Sequence, residues 1–268
     1  MNIQGKRILL TGATGGIGMA IARQALAGGA KLLLTGRQRA VLEQLAQDLG
    51  GKAAGVEVAV ADLSVAAELD RLIAAAGQVD ILIANAGLPG TDEITAYSPE
   101  EIETLLKVNL HVPILLARAL LPGMTQRGEG HLLFISSIAG KVPSPLSSLY
   151  SASKYGLRGF ADCLRMDLDG TGVGVSTIYP GMIRDAGMFA NSGATLPKGT
   201  PSNTAQEVAE STLRAIERNL ASVNVASPVI GLGVHLAHFS PGLNLWIQNL
   251  VGAKATARQF SDGHRARK

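Results

Sequence analysis

Seven short apolar runs recur along the chain, at 7–11, 31–35, 54–60, 80–84, 131–136, 173–178 and 222–226, and helical patterns lie between them at 17–28, 39–49, 66–76, 99–126, 148–169 and 205–219. Parallel strands can be joined only by crossovers, and a helix is the usual crossover, so this alternation predicts an α/β fold: a doubly wound parallel sheet of about seven strands with helices on both faces. Such sheets bind ligands at the carboxyl ends of their strands. The segments that follow the runs are Gly12–Gly18, Arg37, Asp62, Asn85, Ser137 and Pro180, in that order.

The first of these segments reads strand, glycine turn, helix. Arg7–Thr11 runs into TGATGGIG and then into an apolar helix from Ile17. Gly12 permits the tight turn, Gly16 lets backbone approach a pyrophosphate, and Gly18 lets the helix pack on the sheet with its first amides facing the phosphates. A plain glycine-rich turn is the competing explanation. Further along, Tyr150 and Lys154 stand four residues apart, one helical turn, on a single face. An ammonium beside a phenol favours the phenolate, which would bring Tyr150 towards neutral pH and make it a general acid or base.

Composition narrows the class. A chain of 268 residues with 47% hydrophobic content can bury a sizeable core, and no linker, repeat or low-complexity tract divides it. One domain is expected over 1–226, carrying the glycine turn and the Tyr150/Lys154 pair, with an apolar C-terminal extension packed on it over 227–268. The net charge of +3 is small and the basic residues are scattered, which argues against a nucleic-acid surface. The single cysteine, Cys163, cannot form an internal disulfide and is expected to be a small buried residue of a protein in a reducing compartment. The first strand begins within six residues of Met1, so no signal peptide is expected and a cytoplasmic location is.

The glycine turn and the Tyr150/Lys154 pair, with Asn85-Ala86-Gly87, Asn109, Ser136-Ser137 and Pro180-Gly181, resemble the short-chain dehydrogenase/reductase family in its single-domain form, in order and spacing, from residue 5 to about 226. The resemblance implies an oxidoreductase acting on CH-OH groups, with Asn109, Ser137, Tyr150 and Lys154 as the catalytic set. Tyr150 would exchange a proton with the carbonyl or alcohol oxygen. Lys154 would lower its pKa and hold the nicotinamide ribose, Ser137 would orient the substrate oxygen, and Asn109 would position a water in a proton relay. Without the family, Asn109 reads first as a satisfied polar residue at a helix bend. The implied cofactor contacts are Gly12, Thr14, Gly15, Gly16, Ile17, Gly18, Arg37, Asp62, Leu63, Asn85, Ala86, Gly87, Tyr150, Lys154, Pro180, Gly181 and Ile183.

The acid that binds the adenosine ribose in NAD-dependent members is replaced by Gly36, and Arg37 and Arg39 follow. A guanidinium can pair with a 2′-phosphate, and one charge-assisted bond predicts NADPH over NADH by roughly ten- to a hundredfold. Asp62 matches the family's adenine acceptor, with helix capping by Asp62 or Ser64 as its rival. Ala84 replaces an asparagine of the family pattern, and Asp185 stands where a threonine is common, with a cap or a salt bridge to Arg184 as simpler roles.

The substrate side departs most from the family. The stretch from Arg184 to Pro201 carries Met188, Phe189 and Leu196, and Ser144, Leu146 and Leu149 precede Tyr150 without a charge, so a lipophilic ketone, aldehyde or alcohol is expected. Between Arg218 and Lys254 there is no charged residue, and the apolar run 228–251 breaks at Ser240-Pro241-Gly242 into two short helices followed by Lys254, Arg258, Arg265, Arg267 and Lys268. This tail is a cap over the pocket, a subunit contact, or a hairpin on a membrane surface with Trp246 at the interface. His235 and His238 lack further ligands, so no metal site is expected. A homodimer or homotetramer through the helices at 99–126 and 148–169 is the family expectation. The rival functions are a ketoacyl reductase acting on carrier-bound chains and a non-catalytic NADP sensor.

Overall fold

The structure, a computed structural model, describes residues 1–193, 202–227, 241–250 and 252–265. Strands β1 Arg7–Thr11, β2 Lys31–Gly36, β3 Val56–Val60, β4 Ile81–Ala84, β5 Gly130–Ile135, β6 Val173–Pro180 and β7 Ser222–Val225 form one sheet in the order β3-β2-β1-β4-β5-β6-β7. Every pairing is parallel. Its helices are α1 Gly16–Ala27, α2 Arg39–Asp48, α3 Ala66–Ala76, α4 Pro99–Leu106, α5 Val112–Arg127, α6 Ser148–Asp167, α7 Gly187–Ser192, α8 Ala205–Glu217, α9 Pro241–Leu250 and α10 Ala253–Arg265.

The period of two in β1 divides the core. Ile8 and Leu10 face the layer of α1, α2 and α8 with Ile21, Leu42 and Val208, while Leu9 faces α3, α5 and α6 with Leu69, Leu116 and Leu157. All these residues are buried, each worth roughly 1.5–3 kcal/mol against exposure. Strand order reverses at β1, which pairs with both β2 and β4, so the crevice beyond Thr11 and Ala84 is the switch point where such sheets take ligands.

Helices α4 and α5 are joined by a π-helical turn at Lys107–His111, and α4 starts with a capping box between Ser98 and Glu101. The stretch Pro99–Arg127 is long and apolar enough to cross a membrane by length and composition. Its Val112, Leu116, Leu120 and Met124 are nonetheless buried against the sheet, which makes it a core helix here. Cys163 corrects an expectation: it lies on the outer face of α6 and is exposed, because the buried face of that helix is taken by Leu157 and Ala161. The expectations on Leu196 and Pro201, on the first half of the apolar tail with His235 and His238, and on Arg267 and Lys268 lie outside the described residues.

Candidate active site

The glycine turn is built by exclusion. Gly12 has φ +64°, and a Cβ there would stand 2.8 Å from the Cα of Ala86. A Cβ on Gly18 would collide with the Gly12 carbonyl oxygen, and one on Gly16 with the Cβ of Ala186. Asn85 locks the turn from the next strand: its Nδ2 donates to the carbonyls of Thr11 and Gly12 at 3.1 and 3.0 Å, while the amides of Asn85 and Ala86 both donate to Thr11 Oγ1 at 3.0 Å. Gly15 caps α1, whose first turn, including Ile17, holds no acid, so its free amides present only positive dipole to the crevice. This bare, cationic cradle fits a pyrophosphate.

At the end of β2, a Cβ on Gly36 would stand 3.1 Å from Thr14 Cγ2, so an acid at this position would have to displace Thr14. Arg39 is paired with Glu43 at 3.0 Å, whereas Arg37 is exposed and its Nη1 lies 3.9 Å from Asp62 Oδ2. Asp62 Oδ1 accepts from the amide and hydroxyl of Ser64 at 2.8 and 2.6 Å. Burial pushes the Asp62 carboxyl up, but the Ser64 bonds and the charges of Arg37 and Lys107 together outweigh it and hold it below its ordinary value. Helix α3 is capped by Val65, not by Asp62 or Ser64. Leu63 is buried beside them.

The catalytic candidates converge beyond β4 and β5. A Cβ on Gly87 would stand 3.5 Å from Asn109 Oδ1, 3.8 Å from Lys154 Nζ and 3.4 Å from Met188 Cε, so the bare face of Gly87 opens onto all three. Asn109, wholly buried in the π turn, accepts from the Leu88 amide at 2.7 Å and donates to the Leu88 carbonyl at 3.0 Å and to Ser153 Oγ at 3.3 Å. Its amide therefore clamps the segment that leaves β4. Ser136 donates to the Lys154 carbonyl at 3.2 Å, which points it away from the crevice. Ser137 accepts from the Ala139 amide at 3.1 Å, and its hydroxyl lies near enough to Tyr150 to pull the phenol's pKa down.

Burial decides the ionisation of this pair, and it corrects the sequence-based expectation for Tyr150. Enclosure pushes the phenol up to about 12, against a smaller downward pull from Ser137. Lys154 is 3% exposed, donates from Nζ to the Ile135 carbonyl at 3.0 Å, and is lowered to about 8 by the same desolvation. Its ammonium lies 5.7 Å from the phenol ring centroid and does not reverse the effect of burial on Tyr150.

After β6, the Gly181 amide donates to the Val225 carbonyl at 2.9 Å, holding Pro180-Gly181 at the sheet edge, and Ile183 is buried and bridges Asn203. Asp185 Oδ1 accepts from the Ala205 amide at 2.9 Å, in the first turn of α8, and Arg184 donates to the Ser202 carbonyl at 2.6 Å. Asp185 thus contacts the first turn of α8, the cap role expected for it.

Two features escaped sequence reasoning. Helix α10 crosses α7: Phe260 stacks on Phe189 with centroids 5.7 Å apart, Ser192 meets Gly263, and Arg265 makes a two-pronged pair with Asp92 at 2.6 and 2.5 Å. The expected wall of Ser144, Leu146 and Leu149 is also different. Ser144 and Leu146 line an open cleft of about 550 Å³ whose other wall is α9 with Lys254, which supplies the charge that the loop lacks, while Leu149, the residue before Tyr150, is buried. Phe260 and Ser261 at one-turn spacing from Ala257 were the available signal for α10, masked by its surrounding polar residues.

Residues 6–197 match the family model of short chain dehydrogenases. The chain is 34% identical to dehydrogenase/reductase SDR family member 7B of Bos taurus over 88% of its own length and 78% of that protein's. It is 35% identical to the ketoacyl reductase HetN of a Nostoc species, over 83% and 79%. A short-chain dehydrogenase of Sphingobium yanoikuyae, solved in complex with NADPH, superposes with a TM-score of 0.79 at 27% identity, over 89% of this chain and 94% of that one.

Proposed function

The chain belongs to the short-chain dehydrogenase/reductase family, and from that membership we propose that it is an NADP-dependent oxidoreductase that interconverts a ketone or aldehyde and an alcohol on a lipophilic substrate. The observation that carries this reading is the convergence of Asn109 and Lys154 on the bare face of Gly87, two residues beyond the Asn85 that holds the glycine cradle, with Tyr150 one helical turn before Lys154 on α6. The α1 amides and Gly12–Gly18 would hold the pyrophosphate, Asp62 the adenine, and Arg37 the 2′-phosphate. When bound, NADPH supplies a hydride to the carbonyl carbon. Tyr150 gives its hydroxyl proton to the carbonyl oxygen, and Ser137 donates a hydrogen bond to the same oxygen. Lys154 stabilises the phenolate that results, and Asn109 acts through the Leu88 peptide as a positioning residue.

The α7–α10 contacts favour the cap among the three roles weighed for the tail. A cytoplasmic homodimer or homotetramer goes with this reading, and Met166, 77% exposed on the outer face of α6, belongs to the surface it would cover.

The test is NADPH oxidation followed by absorbance on ketones and aldehydes of graded chain length, beside NADH and the variants Tyr150→Phe and Arg37→Leu. Turnover should rise with chain length and fall by about 10²–10⁴ in Tyr150→Phe. Arg37→Leu should remove a roughly tenfold or greater preference for NADPH. Tight NADPH binding without turnover on any compound would favour the sensing protein. Turnover confined to carrier-bound ketoacyl chains would favour the second reading, for which the resemblance to HetN speaks.

A further inference from the structure

We propose that the cleft between the Pro143–Leu146 loop and α9 binds the far end of an amphipathic substrate and that Lys254 selects one ending in an anion, a carboxylate or a phosphate. This rests on the reductase reading above and names its substrate class. The cleft measures about 550 Å³, within the range of roughly 300–1,000 Å³ typical of small-molecule sites. One wall belongs to the loop between Ser137 and Tyr150, and Leu146 stands four residues before Tyr150 in the chain.

Its lining divides by chemistry. Pro143, Leu146 and Leu245, the last 62% exposed, offer an apolar surface for an alkyl chain. Asn244 and Gln248, one turn apart on α9, both donate to the Pro143 carbonyl at 3.2 and 3.4 Å and fix the helix to the loop. Lys254 is the only charged residue in the lining among the described residues. No carboxylate among the described residues pairs with it, and the sequence from Arg218 to Ser261 contains no acid at all. Leu146 adds an independent sign, because it holds φ +56°, a left-handed conformation that branched side chains avoid and that clusters at ligand sites.

Trp246, the chain's one tryptophan, adjoins Leu245 and gives a readout that does not depend on turnover. Monomeric decanoate and decyl phosphate should change its fluorescence saturably in the full chain, with decanol binding about tenfold more weakly. Lys254→Gln should weaken the anions about tenfold towards decanol, and Arg258→Gln, outside the lining, should not. In turnover, the ratio of kcat/KM for a long-chain keto acid over its methyl ester should be about ten and collapse towards one in Lys254→Gln, through KM. Equal anion binding by Lys254→Gln and the parent chain would overturn the proposal. So would a Trp246 blue shift with phosphatidylserine vesicles and none with monomeric decanoate, which would assign this face to a membrane. Lys254-dependent decanoate binding with no turnover on any carbonyl compound would uphold the cleft and defeat the reductase reading instead.

Discussion

Lys154 sets the pH behaviour of the site. Its ammonium is lowered to about 8 by burial, with the Ile135 carbonyl as its hydrogen-bond acceptor, whereas the Tyr150 phenol stays protonated up to about 12. Carbonyl reduction needs both protons in place, so kcat/KM should be flat from pH 6 to 7 and fall as pH rises through about 8. An alkaline limb at 10 or above would mean that the lysine is not desolvated in the working enzyme. The same burial costs stability. Below pH 8 the lysine is protonated in both states and the folded state bears the full penalty; between 8 and 10.5 the folded state sheds the proton first and the penalty lifts. Lys154→Met should therefore abolish turnover yet raise the unfolding free energy at pH 7 by up to about 3 kcal/mol, less the cost of unpairing Ile135, and the gain should vanish near pH 10.5. Urea unfolding at several pH values measures it. The pair itself was legible in the sequence because four residues of helix bring Tyr150 and Lys154 to one face. Their ionisation was not, because it depends on burial supplied by β5 and the segment after β4, far away in sequence.

At the level of elements, the contrast between α1 and α10 follows the same physics. The strand–turn–helix unit declares itself locally, since Gly12, Gly16 and Gly18 stand where any Cβ would strike Ala86, Ala186 or the Gly12 carbonyl. Helix α10 is held by partners 71 and 173 residues away, Phe189 and Asp92, and no local pattern announces such contacts. The Asp92–Arg265 pair is two-pronged and its carboxylate is 13% exposed, so it holds its geometry better than a loose surface pair. If α10 holds α7, and with it Met188, over Gly87, then Asp92→Asn should raise KM about fivefold with a smaller change in kcat. Raising salt from about 0.05 to 0.5 M should raise KM in the parent chain and leave the variant nearly insensitive. Exchanging the partners, Asp92→Arg with Arg265→Asp, should recover most of the loss. A double variant as impaired as Asp92→Asn would leave the pair without a role in closure.

Across the whole molecule, the most consequential buried charge that does not form is on His131. It is the second residue of β5, between β4 and β6, at 1% exposure, and its ring lies over Gly174, where a Cβ would stand 2.5 Å from Nδ1. Ser176 Oγ spends its proton on the Leu220 carbonyl at 2.6 Å, so it can only accept from His131 Nε2 at 2.9 Å, which fixes the neutral tautomer. Burial lowers the imidazole to about 3, and the positive charges of the Met1 amino group and Arg165 act in the same direction. The unfolded chain binds this proton near pH 6.5, so stability is lost as pH falls below 6.5 and the loss levels off below about 3. Between pH 7 and 4.5 this single group should remove roughly 3 kcal/mol. His131→Gln keeps a neutral donor for Ser176 and should cut the fall in urea-unfolding free energy over that interval by about that amount. An unchanged acid profile would place the protein's acid sensitivity in its carboxylates instead. A histidine in an apolar strand gives no hint of this in the sequence, because its partner Ser176 belongs to a strand 45 residues on that meets it only once the sheet has formed.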